Sequence, residues 1–237
     1  MEKFFKKDPI WFAVIWIIVY VVGFSSADSI SESIGIPKLI TCIFGLLLTV
    51  IALNFIKKNS LKEYFGLCKT KGDYKGYLYF VPLIIISSVN LWNGVVIANP
   101  INEIILFVIS MCFVAILEEI IFRGFLFKGM CHDNVKTAII VSSLTFGIGH
   151  IVNLLMGAPV MDTMLQLMYA SAIGFTYTAL LYVSGSILPC IISHAVVNSM
   201  SIFAVAPSDE MNIIIAVIQT VLGVSYGLWL LNHKNNF

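Results

Sequence analysis

Long apolar runs alternate with short polar connections along the whole chain. Eight of the runs approach the ~20 residues that a helix needs to cross a bilayer core of ~30 Å. They cover about Ile10–Phe24, Ile36–Ile56, Gly76–Ala98, Ile101–Phe122, Thr137–Val152, Met164–Val183, Ser186–Ala206 and Met211–Leu231. The first and fifth are short for a full span. Inside lipid a backbone must satisfy its own polar groups, and a helix does so within one segment. The pattern therefore predicts an all-α integral membrane protein with about eight transmembrane helices.

Composition agrees with the pattern. Of 237 residues, 59% are hydrophobic and 11% charged, and the mean hydropathy is +0.96. Soluble domains carry roughly 25% charged residues, so no second, soluble domain is expected beside the spans. A net charge of +1 gives no electrostatic footprint for nucleic acid, and membrane lipid is the expected surrounding. The five cysteines form no C-x-x-C and no zinc-like spacing with histidine. Three of them lie in apolar runs and read as small core hydrophobes. The lysine-flanked N-terminal run lacks a small-residue cleavage site and reads as a retained first span.

The basic residues give the chain a direction. With eight spans, Lys3, Lys6 and Lys7, the group from Lys57 to Lys75, Arg123, Lys128 and Lys136, and Lys234 all fall on one side. Only Lys38 falls on the other, beside Asp28 and Glu32; Asp162, Asp209 and Glu210 share that side. By the positive-inside rule both termini are expected in the cytoplasm, in a multi-pass protein of the cell membrane.

Polar residues deep in the runs are few, and they concentrate in spans four, five and seven. Span four ends in Glu118, Glu119 and Arg123, span five carries Phe146, Gly147, Gly149 and His150, and span seven carries His194 and Asn198. A charge in mid-membrane costs about 2.5–3.5 kcal/mol on insertion scales and usually marks chemistry or transport. Glu119 and Arg123, four residues apart, share a helical face and can pair. Glu118 is turned about 100° from Glu119 on an α-helix and points elsewhere. His194 and Asn198 share another face, and Gly147 and Gly149 thin the helix around His150. Glu118, His150, His194 and Asn198 are expected to meet in a polar pocket between the three spans. A carboxylate kept from bulk water beside histidines can act as a general base toward water. Two imidazoles and an amide can hold an oxyanion; alternatively Glu118, His150 and His194 can bind a divalent metal such as zinc. There is no H-E-x-x-H, so the zincin template does not apply.

Glu118-Glu119-x-x-x-Arg123, Phe146-x-x-x-His150 and His194-x-x-x-Asn198, in this order, resemble the three motifs of the CPBP intramembrane proteases. That group includes the type II CAAX prenyl endopeptidases (Rce1-like) and bacterial Abi proteins. The resemblance implies eight helices and endopeptidase activity on a membrane-associated peptide or a membrane-anchored protein. It also implies that Glu118 activates the water with help from His150, that His194 and Asn198 form the oxyanion site, and that Glu119 and Arg123 are a supporting ion pair. The expected organisation is then three N-terminal spans with a basic connection over 1–100, a catalytic core over 101–206 and a final helix over 207–237. Taken singly, each motif also has a structural reading: an interfacial ion pair, a packing histidine, or interhelical polar glue. A non-proteolytic immunity or scaffold protein of the membrane is the rival of a different class.

Overall fold

Length and continuity divide the apolar runs into two kinds. In the computed structural model, which describes residues 1–70 and 80–233, six helical rods are long and apolar enough to cross a membrane. A short α1 (Glu2–Lys7) leads into α2 (Pro9–Ser33), whose start is set by Pro9 and by the Asp8 carboxylate accepting the Trp11 N–H. Then come α3 (Leu39–Lys58), α4 (Val81–Ser87) and α5 (Ile101–Glu118). The last continues without a break through a π-helical stretch, Glu119–Phe127, into α6 (Lys128–Met130). After α7 (Val135–Gly149) and α8 (Val152–Leu155) follow α9 (Val160–Ser184), α10 (Leu188–Met200) and α11 (Asp209–Asn232).

The first span is not short. Polar Ser25, Ser26 and Asp28 end the hydropathy run, yet the helix continues to Ser33. Asp28 is neutralised by Lys38 at 2.8 Å and accepts the Thr41 hydroxyl at 2.5 Å, so its charge is met by the next helix. The fifth is likewise extended, because α8 carries α7 on to give 21 residues from Val135 to Leu155.

The third and seventh segments are where helix length falls below the expected eight spans. Pro82 and Pro189 restrict where α4 and α10 begin. The helix α10 has 13 residues, or about 20 Å at 1.5 Å per residue, against a core of ~30 Å. Each ends in a 3₁₀ turn, Val89–Leu91 and Ser201–Phe203, and then in extended chain. The two broken segments lie side by side and satisfy each other. Ser87 meets Ser193 at 2.9 Å, Asn90 donates to the Val197 carbonyl at 2.6 Å, and Asn93 donates to those of Val205 and Ala206. Beyond them Val95 and Ala204 form an isolated antiparallel bridge. The expected start of span three at Gly76, together with Lys71, Lys75 and Lys234, lies outside the described residues.

Side-chain contacts define two ends. At one, Phe5 packs on Phe55, Tyr64 and Phe65, Tyr64 bonds the Lys128 carbonyl, and the Gly66 and Cys68 carbonyls accept from Ile187 and Ser186. Lys57, Lys58, Lys62 and Lys128 are at this end. The other end gathers the Asp28–Lys38 pair, the Val95–Ala204 bridge and Asp162, which accepts from Asn212.

Between the ends, α9 is the central rod, packed against both α7 and α11. Gly147 explains the first of these contacts. A methyl group there would meet Ser171 Oγ and sit 2.8 Å from the Ser171 nitrogen and 2.9 Å from the Leu167 carbonyl of α9. Gly149 faces open space, so only one of the two glycines expected to thin this helix does so. Gly147→Ala should push α7 from α9 and destabilise the protein by about 1–3 kcal/mol. Thermal unfolding in detergent measures this, and a wild-type transition temperature would refute the close approach.

Candidate functional site

The π-helical stretch places the charges. Helix α5 carries no ionisable carboxylate or base between Glu103 and Glu118, then turns into i→i+5 winding at Glu119. The residue spacing predicts a regular α-helix through this point, and the wider winding replaces it. π-turns recur at functional sites because they shift side chains relative to a regular helix. All nine residues from Glu119 to Phe127 are buried. Glu119 and Arg123 still meet, Oε1 to Nη1 at 3.1 Å, with both side chains fully buried. The guanidinium makes no aligned hydrogen bond and lies instead on the Phe146 ring, 4.0 Å from its centre, with Tyr177 at 5.5 Å.

Glu118, next in sequence, turns a different way but meets the same histidine. His194 Nδ1 is 2.9 Å from Glu119 Oε1, and its Nε2 is 3.4 Å from Glu118 Oε2. One imidazole thus bridges two carboxylates. An ionised carboxylate accepts only, so Glu119 fixes Nδ1 as the protonated nitrogen and turns Nε2 toward Glu118. Glu119 is therefore more than half of an ion pair, because it also orients His194. Phe146 and Tyr177 hold the ring edge-on and tilted, at 5.7 and 6.0 Å between centres. The Tyr177 hydroxyl is tied to Ser193 at 2.8 Å.

His150 caps the far end of α7 and is half-buried. Its Nδ1 lies 3.2 Å from Gln166 Nε2, and the Gln166 carbonyl oxygen accepts from Asn153 at 2.7 Å. The amide of Gln166 therefore donates to Nδ1, which leaves the His150 proton on Nε2. The two histidines are held as opposite tautomers. Asn198, one turn beyond His194, keeps its side-chain amide free of protein partners among the described residues.

Glu118, His150, His194 and Asn198 all line one cavity of about 390 Å³. Asn90, Asn153, Gln166 and Gln219 add amides to its wall. A second cavity of about 180 Å³ also reaches Glu118 and His150 and runs between α2 and α7 to Ser25 and Asp28. Glu118 itself uses one oxygen: Oε1 accepts the Tyr20 hydroxyl at 2.5 Å, while Oε2 is buried and has no hydrogen-bond partner. Among the described residues no three His, Cys, Asp or Glu side chains converge as a metal-holding group. Of the three donors expected for a metal, His194 has Nδ1 taken by Glu119 and turns Nε2 toward Glu118 Oε2, and His150 has Nδ1 taken by Gln166, which leaves its Nε2 outside that bond.

Sequence spacing alone does not point to Tyr20, Gln166 or the second role of Glu119. A tyrosine among eight apolar residues and an amide near the start of a span carry no formal charge, so a search for ionisable groups passes over them. The signal that remained was the hydrogen-bonding need of a buried carboxylate and a buried imidazole.

Comparison with known proteins adds one finding. Residues 100–200 match the family model described as type II CAAX prenyl endopeptidase Rce1-like. No curated protein and no solved structure matches the chain.

The ion pair has a direct test. Arg123→Ala leaves Glu119 buried and uncompensated and should cost about 3–5 kcal/mol, seen as a lower yield of folded protein and a lower unfolding temperature in detergent. Wild-type yield and unfolding temperature would remove the pair from its supporting role.

Proposed function

We propose, from the match of residues 100–200 to the Rce1-like family model, that this chain is an intramembrane endopeptidase of the CPBP type, hydrolysing a peptide bond of a membrane-associated peptide or protein. The observation that carries the mechanism is Glu118, a buried carboxylate whose Oε2 has no hydrogen-bond partner, on a cavity shared with His150, His194 and Asn198. Glu118 takes a proton from a water that the His150 N–H holds by its oxygen. The water oxygen bonds to the scissile carbonyl carbon, and the carbonyl oxygen gains the charge. Asn198 donates its amide N–H to that oxygen. Glu118 passes the water's proton to His194 Nε2, which donates it toward that oxygen while Glu119 stabilises the imidazolium across the ring, and takes it back before collapse. Collapse of the tetrahedral species breaks the C–N bond, and Glu118 returns its proton to the leaving amine. Tyr177, Phe146 and the apolar turns of α5 keep bulk water out, which strengthens each of these contacts. Each of these steps uses the protein's own groups, and none is routed through a metal.

The same contacts support an orientation. The short segments α4 and α10, lying side by side, together with the chain beyond their 3₁₀ turns, complete two further crossings and bring the count to eight. The lysine-rich end then faces the cytoplasm. The cavity lined by Glu118 is also lined by Ser25 and Asp28 toward the opposite end, and by this route the scissile bond approaches from the extracytoplasmic side.

In reconstituted vesicles, Glu118→Gln, His150→Ala and His194→Ala should each lower cleavage by at least about 100-fold while the protein still inserts, and wild-type cleavage should survive dialysis against a chelator. Substrates are found by comparing peptides of cells carrying the wild type with cells carrying Glu118→Gln. Undiminished cleavage by all three variants refutes the assignment, and loss of activity on chelation that zinc restores refutes the metal-free chemistry. For the orientation, a cysteine-free variant carrying Ser25→Cys should react with a membrane-impermeant maleimide added outside intact cells. Labelling only after lysis would reverse the proposed sidedness.

A further inference from the structure

We infer that Tyr20, on the first long helix, is a positioning residue for Glu118 in the hydrolysis proposed above. Residues 100–200 carry the family match, and Tyr20 lies well before them. Helix α2 nevertheless packs along the π-helical stretch and delivers the Tyr20 hydroxyl to Glu118 Oε1 at 2.5 Å. Tyr20 is 8% exposed, and its ring is stacked at a tilt on Phe24, 4.7 Å between centres, so the phenol is held by its own helix.

The consequence for Glu118 is geometric first. The terminal torsion of a glutamate is broad and roughly two-fold, so a carboxylate with no fixed partner presents either oxygen. Tyr20 pins Oε1. The oxygen left without a hydrogen-bond partner, Oε2, is the one 3.4 Å from His194 Nε2, and Glu118 and His194 line the same cavity. The consequence is also electrostatic. The site already holds one fully buried guanidinium, and that is engaged by Glu119. A neutral O–H donor supports the second carboxylate without adding a cation that would pair with Glu118 and remove it as a base. Neighbours of Glu118 on its own helix, such as Val114 and Phe122, offer no donor, so the bond has to come from another helix.

The test uses the full chain in vesicles with a peptide that the wild type cleaves. Tyr20→Phe keeps the ring and removes the hydroxyl. It should lower kcat about tenfold or more, with KM held within about twofold, because it disturbs the base rather than substrate binding. Thermal unfolding supplies a readout that needs no catalysis. The shifts of Tyr20→Phe and Glu118→Gln should be non-additive in the double variant, since the two groups share one bond. If Tyr20→Phe alone folds poorly, Glu118→Gln in the same chain should restore folding; failure to restore it overturns the inference. Wild-type kcat in Tyr20→Phe, or additive unfolding shifts, likewise overturns it. A wild type that cleaves no peptide yet shows the coupling defeats the protease reading and supports the Tyr20–Glu118 pairing.

Discussion

A guanidinium with no access to water has to be answered from within the protein, and Arg123 is answered by Glu119 on the same rod. Much of the interior is arranged around that demand. Phe146 of α7 and Tyr177 of α9 lie on or near the guanidinium, which brings both helices against the π-helical stretch. Glu119 has capacity left after Arg123 and uses it on His194, which draws in α10. The pair is costly to bury and costly to break, because either half alone would be a bare charge in an apolar core. That asymmetry makes it a constraint on the relative placement of four segments rather than a source of net stability.

Polar groups elsewhere follow the same economy. The broken segments α4 and α10 expose backbone and amide groups that lipid cannot satisfy, and each uses the other for that purpose through Ser87, Ser193, Asn90 and Asn93. Irregular backbone at membrane depth is tolerated where it is buried in protein or lines a cavity, and here it does both. Further amides, among them Gln166, Asn153 and Asn198, line the space around the two histidines. The opposite tautomers imposed by Glu119 and by Gln166 give that space one nitrogen that accepts and one that donates. Hydrolysis of an amide requires both kinds of group.

How much of this could be read from the chain depends on the length scale of each interaction. The helices were legible because hydropathy is local and a bilayer demands runs of known length. The Glu119–Arg123 pairing was legible because a four-residue spacing survives in either α or π winding. The extent of α2 was not, since Asp28 looks like the end of a span until Lys38 and Thr41 are seen to satisfy it. Nor was the shortness of α4 and α10, whose apolar composition suits a full span while Pro82, Pro189 and their mutual bonds break the helices.

The amino-acid sequence by itself determined that the protein is helical and lies in a membrane, and that the ionisable groups deep in its apolar runs concentrate in three segments. Those properties follow from composition and spacing along one strand of chain. Only the tertiary structure decided that Glu118 and Glu119 share one imidazole, that Gln166 sets the proton on His150, and that Tyr20 reaches Glu118 across 98 residues of sequence. A hydrogen bond acts over about 3 Å, and nothing in a linear pattern says which distant donor the packing of helices will bring within that distance.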